Sequence, residues 1–185
     1  MALPDDYLAA LETLALAFEA YGRISGGTAV LVGGAAAAIY TGWMFPSNDF
    51  DIVAADDVAF EHAMLGQGFE REAEPGPLRG GFWHPRHPHY GFQQVSGALF
   101  DGRAERGRLV RLAALPVGEA ALVLPAIEDM IADRLAQHAV APRGDDSRLL
   151  QAKALFSLAE NLDIGYLSRR IGDEGGDPGL LGIAA

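Results

Sequence analysis

Apolar positions along the chain fall into two kinds of pattern, and the boundary between them is abrupt. Near the start, Leu8, Leu11, Ala15 and Phe18 recur at helical spacing after Pro4 and Asp5, which predicts an amphipathic helix stopping at Gly22. Ala29 to Val32 is apolar without alternation and reads as a short buried strand that ends at Gly33-Gly34. Small residues from Ala35 to Tyr40 predict a helix, and Gly42 and Pro46 mark a loop. Asp49 to Ala54 then reads as a second strand, with Asp56 capping a helix to about Leu65 that Gly66 and Gly68 close.

The middle of the chain is richer in Gly, Pro, Arg and aromatic residues. Short antiparallel strands are expected at Phe69 to Glu72, Phe82 to Trp83 and Tyr90 to Val95, with edge strands at Leu109 to Leu115 and Ala121 to Leu124. After Pro125 the helical period returns through Ile127, Met130, Ile131, Leu135 and His138. A second helix is expected from about Asp146 to Asn161, with Leu150, Ala154 and Leu158 as its stripe, and a third from Ile164 to Ile171, stopped by Gly172. The division that results is an α/β (α+β) core over 1–124, a C-terminal helical segment over 125–172 and a loose tail over 173–185, in which Leu180, Leu181 and Ile183 could dock.

Composition narrows the function. At 185 residues, half hydrophobic and 21% charged, the chain supports one good core. A net charge of -11 opposes non-specific capture of nucleic acid, although seven of the 14 Lys and Arg residues lie between Arg71 and Arg111. The absence of cysteine removes disulfides, thiolate metal sites and cysteine nucleophiles. Acids near the N-terminus argue against a targeting peptide and for a cytoplasmic location. The uncharged run from Thr28 to Phe45 is nearly long enough to span a bilayer, but its glycines and the acids that follow favour a buried strand-turn-helix and no membrane partner.

The chemistry concentrates between Val30 and Val53. Side chains alternate along a strand, so Asp49 and Asp51 present both carboxylates on one face. A helix starting directly after Gly33-Gly34 points free backbone N–H groups at the preceding loop, where a phosphate can sit. Paired hard-oxygen ligands beside such a cradle suit a magnesium ion shared with substrate phosphates.

The order strand, Gly-Gly, helix, loop, strand with Asp-x-Asp resembles the nucleotidyltransferase-fold superfamily, on Val32-Gly33-Gly34-Ala35 and Ser47-Asn48-Asp49-Phe50-Asp51-Ile52. More loosely, Pro125 to Leu135 and Asn161 to Leu167 resemble the helical tail of its bacterial toxin-antitoxin and abortive-infection members. That resemblance implies a nucleotidyltransferase-like mixed β-sheet backed by helices. It assigns Asp49 and Asp51 to catalysis and to Mg²⁺, and Gly33, Gly34 and Ser47 to the nucleotide. It also implies an NTP substrate, an RNA or protein acceptor, and a cognate antitoxin protein as partner.

Members of that superfamily usually carry a third carboxylate on the next core strand. Here Gln93 or Gln94 stands in that place, so a non-catalytic nucleotide- or protein-binding member is the alternative. Glu70, Glu72 or Asp101 could supply the acid under a different strand alignment. His84, His87 and His89 lie among prolines and read as a surface loop before they read as a metal site. Arg148 and Lys153 could reach a triphosphate, with surface charge the plainer reading, while Glu128, Asp129 and Asp133 read as first-turn charges and a solvated helix face.

Overall fold

A computed structural model of the chain describes residues 3–72, 81–112 and 120–183. Six α-helices and seven strands are present among the described residues: α1 (Asp5–Ser25), β1 (Val30–Val32), α2 (Gly33–Tyr40), β2 (Asp49–Val53), α3 (Asp57–Gly66), β3 (Glu70–Arg71), β4 (Gly81–Trp83), β5 (Gly91–Ser96), β6 (Val110–Leu112), β7 (Leu122–Leu124), α4 (Ile127–Ala139), α5 (Ser147–Leu158) and α6 (Ile164–Glu174). Five strands form a mixed sheet in the order β1-β2-β5-β4-β3, and β6 pairs with β7 in a separate antiparallel ladder. The expected α/β architecture, a mixed sheet backed by helices, is the one observed.

The sheet sorts its side chains by parity. Phe50 and Ile52 of β2 and Phe92 of β5 are fully buried on one face, under α1 and α3. There Phe50 stacks on Phe92 with ring centroids 4.8 Å apart and on Tyr7 at 5.0 Å, and Tyr21 and Phe60 extend the cluster. Each such ring contributes roughly 1.5–3 kcal/mol by leaving water. Asp49 and Asp51 are thereby forced to the opposite face, because moving them inward would turn Phe50 out of the core.

Helix α1 runs through Gly22 and stops at Gly26, whose φ of +69° takes the left-handed cap. The expected stop at Gly22 was therefore one turn early; tertiary burial of Ala20 and Tyr21 carries the helix onward. Asp56 caps α3 as expected, accepting from the Ala59 N–H at 2.9 Å. On α5 the expected inward stripe is outward: Leu150 and Leu158 are about half exposed, and Gln151, Ala152 and Leu155 face the interior. Helix α6 passes the expected stop at Gly172 and ends at Gly175 in the left-handed conformation. Beyond it a 3-10 turn (Pro178–Leu181) brings Leu180, Leu181 and Ile183 against the core.

The acids at the start of α4 are not solvated. Asp129 is 1% exposed and accepts from Arg170 Nε at 2.6 Å and from the Tyr166 hydroxyl at 2.9 Å. Arg170 Nη2 donates in turn to Glu174 at 2.6 Å, and Glu128 is buried and accepts from the Asp163 N–H. These bonds tie α4 to α6, so both acids serve packing between helices where only a dipole contribution was expected. No helix among the described residues is long and apolar enough to cross a membrane.

Candidate active site

Strand β1 is antiparallel to β2, with Val32 opposite Asp51, and the chain turns directly from Val32 into α2. That turn needs Gly33 at φ +67°, a conformation that side chains other than glycine rarely adopt. It also needs the space: a Cβ on Gly33 would lie 2.9 Å from Asp51 Cγ and closer still to its carboxylate oxygen. A Cβ on Gly34 would lie 2.7 Å from Ser47 Oγ. Ser47 donates from that hydroxyl to the Asp49 carbonyl at 3.1 Å, which steadies the entry to β2.

Asp49 is exposed and Asp51 half-buried, side by side on the face away from the aromatic core. Burial raises the Asp51 carboxyl above the usual carboxylate range, and the charge of Asp49 adds to the rise; Arg134 and Arg148 oppose it. Gly91 lies opposite Asp49 in the parallel β2–β5 register, where a Cβ would stand 3.2 Å from Asp49 Oδ1. Each aspartate thus has a glycine at its flank.

The position opposite Asp51 on β5 is Gln93, whose neutral amide faces the same space. Gln94 points elsewhere and donates to the Ala54 carbonyl and to Asp57. Of the acids considered as replacements, Glu70 on β3 and Glu72 just after it are exposed, three strands from β2 in the sheet order, and only Asp101 lines the cavity. Asp101 sits on a strained turn, with Phe100 at φ +45° and Asp101 at φ +53°. Among the described residues, no three His, Asp or Glu side chains are grouped closely enough to hold a metal ion by themselves.

All five residues assigned from the sequence, Gly33, Gly34, Ser47, Asp49 and Asp51, line one open cavity of about 630 Å³. Its opposite wall comes from α4 and α5 and holds Asp133, Arg134, Gln137, Arg148 and Gln151. Asp133 therefore faces the cavity, where a solvated helix face was expected, and accepts from Arg134 Nη2 at 2.7 Å. Lys153 is exposed and outside the cavity, whereas Arg148 is part of it. Arg134 carried no signal in the sequence beyond its place in a helix.

The histidines are not the surface loop expected. His84 and His87 are 3% and 9% exposed, with rings 5.0 Å apart. His84 Nδ1 accepts from the Arg86 N–H at 3.1 Å, and His87 Nε2 lies 2.8 Å from Thr13 Oγ1. Burial lowers both imidazoles below their ordinary range. The pair fastens the β4–β5 connection to α1, on the far side of the sheet from the two aspartates, and His89 stays exposed.

No protein-family model matches the sequence, and no curated protein is significantly similar to it. Solved structures do match in fold. The crystal structure of ANT(2'')-Ia in complex with adenylyl-2''-tobramycin superposes with a TM-score of 0.58 at 13% identity, covering 90% of this chain and 97% of that one. The solution structure of the same antibiotic-resistance factor gives 0.54 at 13% identity, with 89% and 91% covered. An antigenic nucleotidyltransferase-like protein from Paracoccidioides brasiliensis gives 0.59 at 12% identity, with 93% and 88% covered. The chain shares the fold of nucleotidyltransferases over nearly its whole length.

Proposed function

We propose that this protein transfers a nucleotidyl group from a nucleoside triphosphate to an acceptor hydroxyl, with Asp49 and Asp51 holding Mg²⁺. The observation that carries this reading is the acid pair on β2, set against the glycine start of α2 and facing two arginines across one cavity. The donor set fits the ion: two hard-oxygen carboxylates, one exposed and one half-buried at an open cavity, leave room for the waters and phosphate oxygens that magnesium keeps. Their mutual repulsion and the burial of Asp51 are both relieved by a divalent cation. Bound there, magnesium neutralises phosphate charge and orients the group being transferred.

The chain's own residues account for the rest. Gly33 and Gly34 let the phosphates approach backbone N–H groups at the start of α2, and Ser47 stands at the same turn. The acceptor oxygen bonds to the α-phosphorus as the bond to the β-phosphate oxygen breaks, and pyrophosphate leaves. Gln93 cannot accept the hydroxyl proton, so that proton passes to water or to Asp101, which lines the cavity.

The acceptor is a macromolecule, an RNA or a protein, and the acidic net charge favours a protein. A toxin-like role in the cytoplasm, held in check by a cognate antitoxin, follows from the resemblance of the helical tail. Incubation with labelled NTPs and cell extract tests the activity directly, with Asp49→Ala and Asp51→Ala as controls. Labelling indifferent to both substitutions would sink it. Gln93 opposite Asp51 supports a second reading, a protein that binds Mg-NTP without turnover. Calorimetric NTP binding with no label transfer to any acceptor separates the two.

A further inference from the structure

Five carboxylates line the cavity: Asp49, Asp51, Asp101, Asp133 and Glu174. Asp49 and Asp51 form the pair on β2. Asp133 accepts from Arg134 Nη2 at 2.7 Å and from Gln137 Nε2 at 3.0 Å. Glu174 accepts from Arg170 Nη2 at 2.6 Å and from Arg103 Nη1 at 3.2 Å. Asp101, the fifth, is exposed and its side chain makes no hydrogen bond or ion pair among the described residues. With the β2 pair it does not form a group of three able to hold a metal ion. It is therefore a carboxylate whose oxygens are free to accept a proton inside the cavity.

The backbone that presents Asp101 is strained, and the strain is held from both ends. Phe100, Asp101 and Gly102 are left-handed in succession, at φ +45°, +53° and +81°, a run that residues with a Cβ avoid. On one side Leu99 is buried among Val30, Val32, Val53 and Val123, and Phe100 packs against that cluster. On the other, Arg103 donates to the Asp173 carbonyl at 2.9 Å and to Glu174, at the end of α6. Glu174 is fixed in turn by Arg170, which is buried against Asp129 of α4. An ion pair at an exposed arginine adds little stability, so the value of Arg103 lies in where it holds the chain.

We propose that Asp101 is the catalytic base of the transfer, with Arg103 and Glu174 as its positioning residues, an assignment that rests on the nucleotidyl-transfer reading of the same cavity. The place opposite Asp51 on the sheet holds Gln93, and the base stands off the sheet, on the turn after β5. The acceptor O–H gives its proton to a carboxylate oxygen of Asp101 as the hydroxyl oxygen bonds to the α-phosphorus. The bond from that phosphorus to the β-phosphate oxygen breaks, its electron pair leaves with pyrophosphate, and Asp101 then passes the proton to water.

Transfer from α-labelled NTPs to cell extract, run beside calorimetry with the same Mg-NTPs on the full chain, tests this. Asp101→Asn and Asp101→Gly each lower kcat by about 100-fold or more, while the KM and Kd for the nucleotide stay within about 2-fold of wild type. Glycine suits the left-handed backbone, so Asp101→Gly melts no lower than wild type and its loss of rate is not unfolding. Formate, a small free carboxylate, restores part of the Asp101→Gly rate and none of the Asp49→Ala rate. Arg103→Ala lowers kcat by about 10-fold with KM unchanged, and Arg103→Lys recovers most of it. Wild-type transfer that survives Asp101→Asn and Asp101→Gly overturns the proposal and leaves the transferase reading standing. Full kcat in Arg103→Ala overturns the positioning role. A wild-type chain that binds Mg-NTP and labels no acceptor removes the base and the transferase reading together.

Discussion

Gly33 and the Asp51 carboxylate occupy adjoining space so closely that a methyl group on the glycine would displace the acid. The left-handed backbone at Gly33 and the placement of Asp51 are therefore one constraint expressed on two strands. Gly33→Ala is expected to cost about 1–3 kcal/mol of stability and to abolish nucleotide binding, whereas Gly22→Ala, inside α1, leaves binding unchanged. Chemical denaturation alongside calorimetry with Mg-ATP checks both.

Gly34 differs in kind, because its conflict is with the flexible end of Ser47. Gly34→Ala is expected to destabilise by about 1 kcal/mol, and the double change Gly34→Ala/Ser47→Gly to recover most of the loss. Full recovery of nucleotide affinity in the double variant would remove Ser47 from the binding site.

Neutralising Asp51 should separate stability from activity. Its carboxyl sits above the ordinary range because the fold disfavours its charge, so Asp51→Asn is expected to raise the melting temperature at pH 7, by on the order of 1 kcal/mol in stability, while ending label transfer. A melting temperature below wild type would show that the arginines across the cavity depend on that charge.

The buried pair Asp129–Arg170 gives the largest expected loss. Asp129→Asn leaves Arg170 charged and nearly without solvent, at about 3–5 kcal/mol and a melting temperature lower by roughly 10 °C. Replacing both partners with apolar residues of similar volume costs less than either single change. A double-mutant cycle in urea reads the difference.

Acid should weaken the fold through His84 and His87. Both are neutral and buried in the folded chain, with burial the largest cause of their lowered proton affinity. Above the ordinary imidazole range neither state binds the proton, so stability is unaffected. As pH falls through that range the unfolded chain takes up protons that the folded one refuses, and stability declines until the lowered folded values are reached. The urea midpoint measured from pH 7.5 to 5 should fall, and His87→Gln should flatten the slope below pH 7.

Much of the core was legible because local pattern and tertiary demand agree there: the strand, glycine pair, helix and Asp-x-Asp strand all appear where their residues imply. Asp49 and Asp51 share a face because Phe50 and Ile52 must share the other. What a single chain does not display is the partner across space. Asp129 looks like a first-turn charge until Arg170 arrives from α6, and Leu150 and Leu158 form a convincing stripe on a face that α5 turns outward. Arg134 gave no signal for the same reason, since its meaning lies in Gln151 and in an aspartate on another element. Gly91, flanking Asp49, could have been found by asking which residue of the parallel neighbour must make room for it.

The cavity gathers its walls from Val32 through Glu174, and the pairing of β2 with β5 joins segments far apart in the chain. On the ribosome the acids emerge early and the arginines late. A nascent chain halted before α5 presents its carboxylates to water without the complete opposing wall, so it has no two-walled cavity in which to hold a substrate. Competence therefore arrives in one step once α5 has been made instead of growing with length, and products truncated before it are expected to be inert.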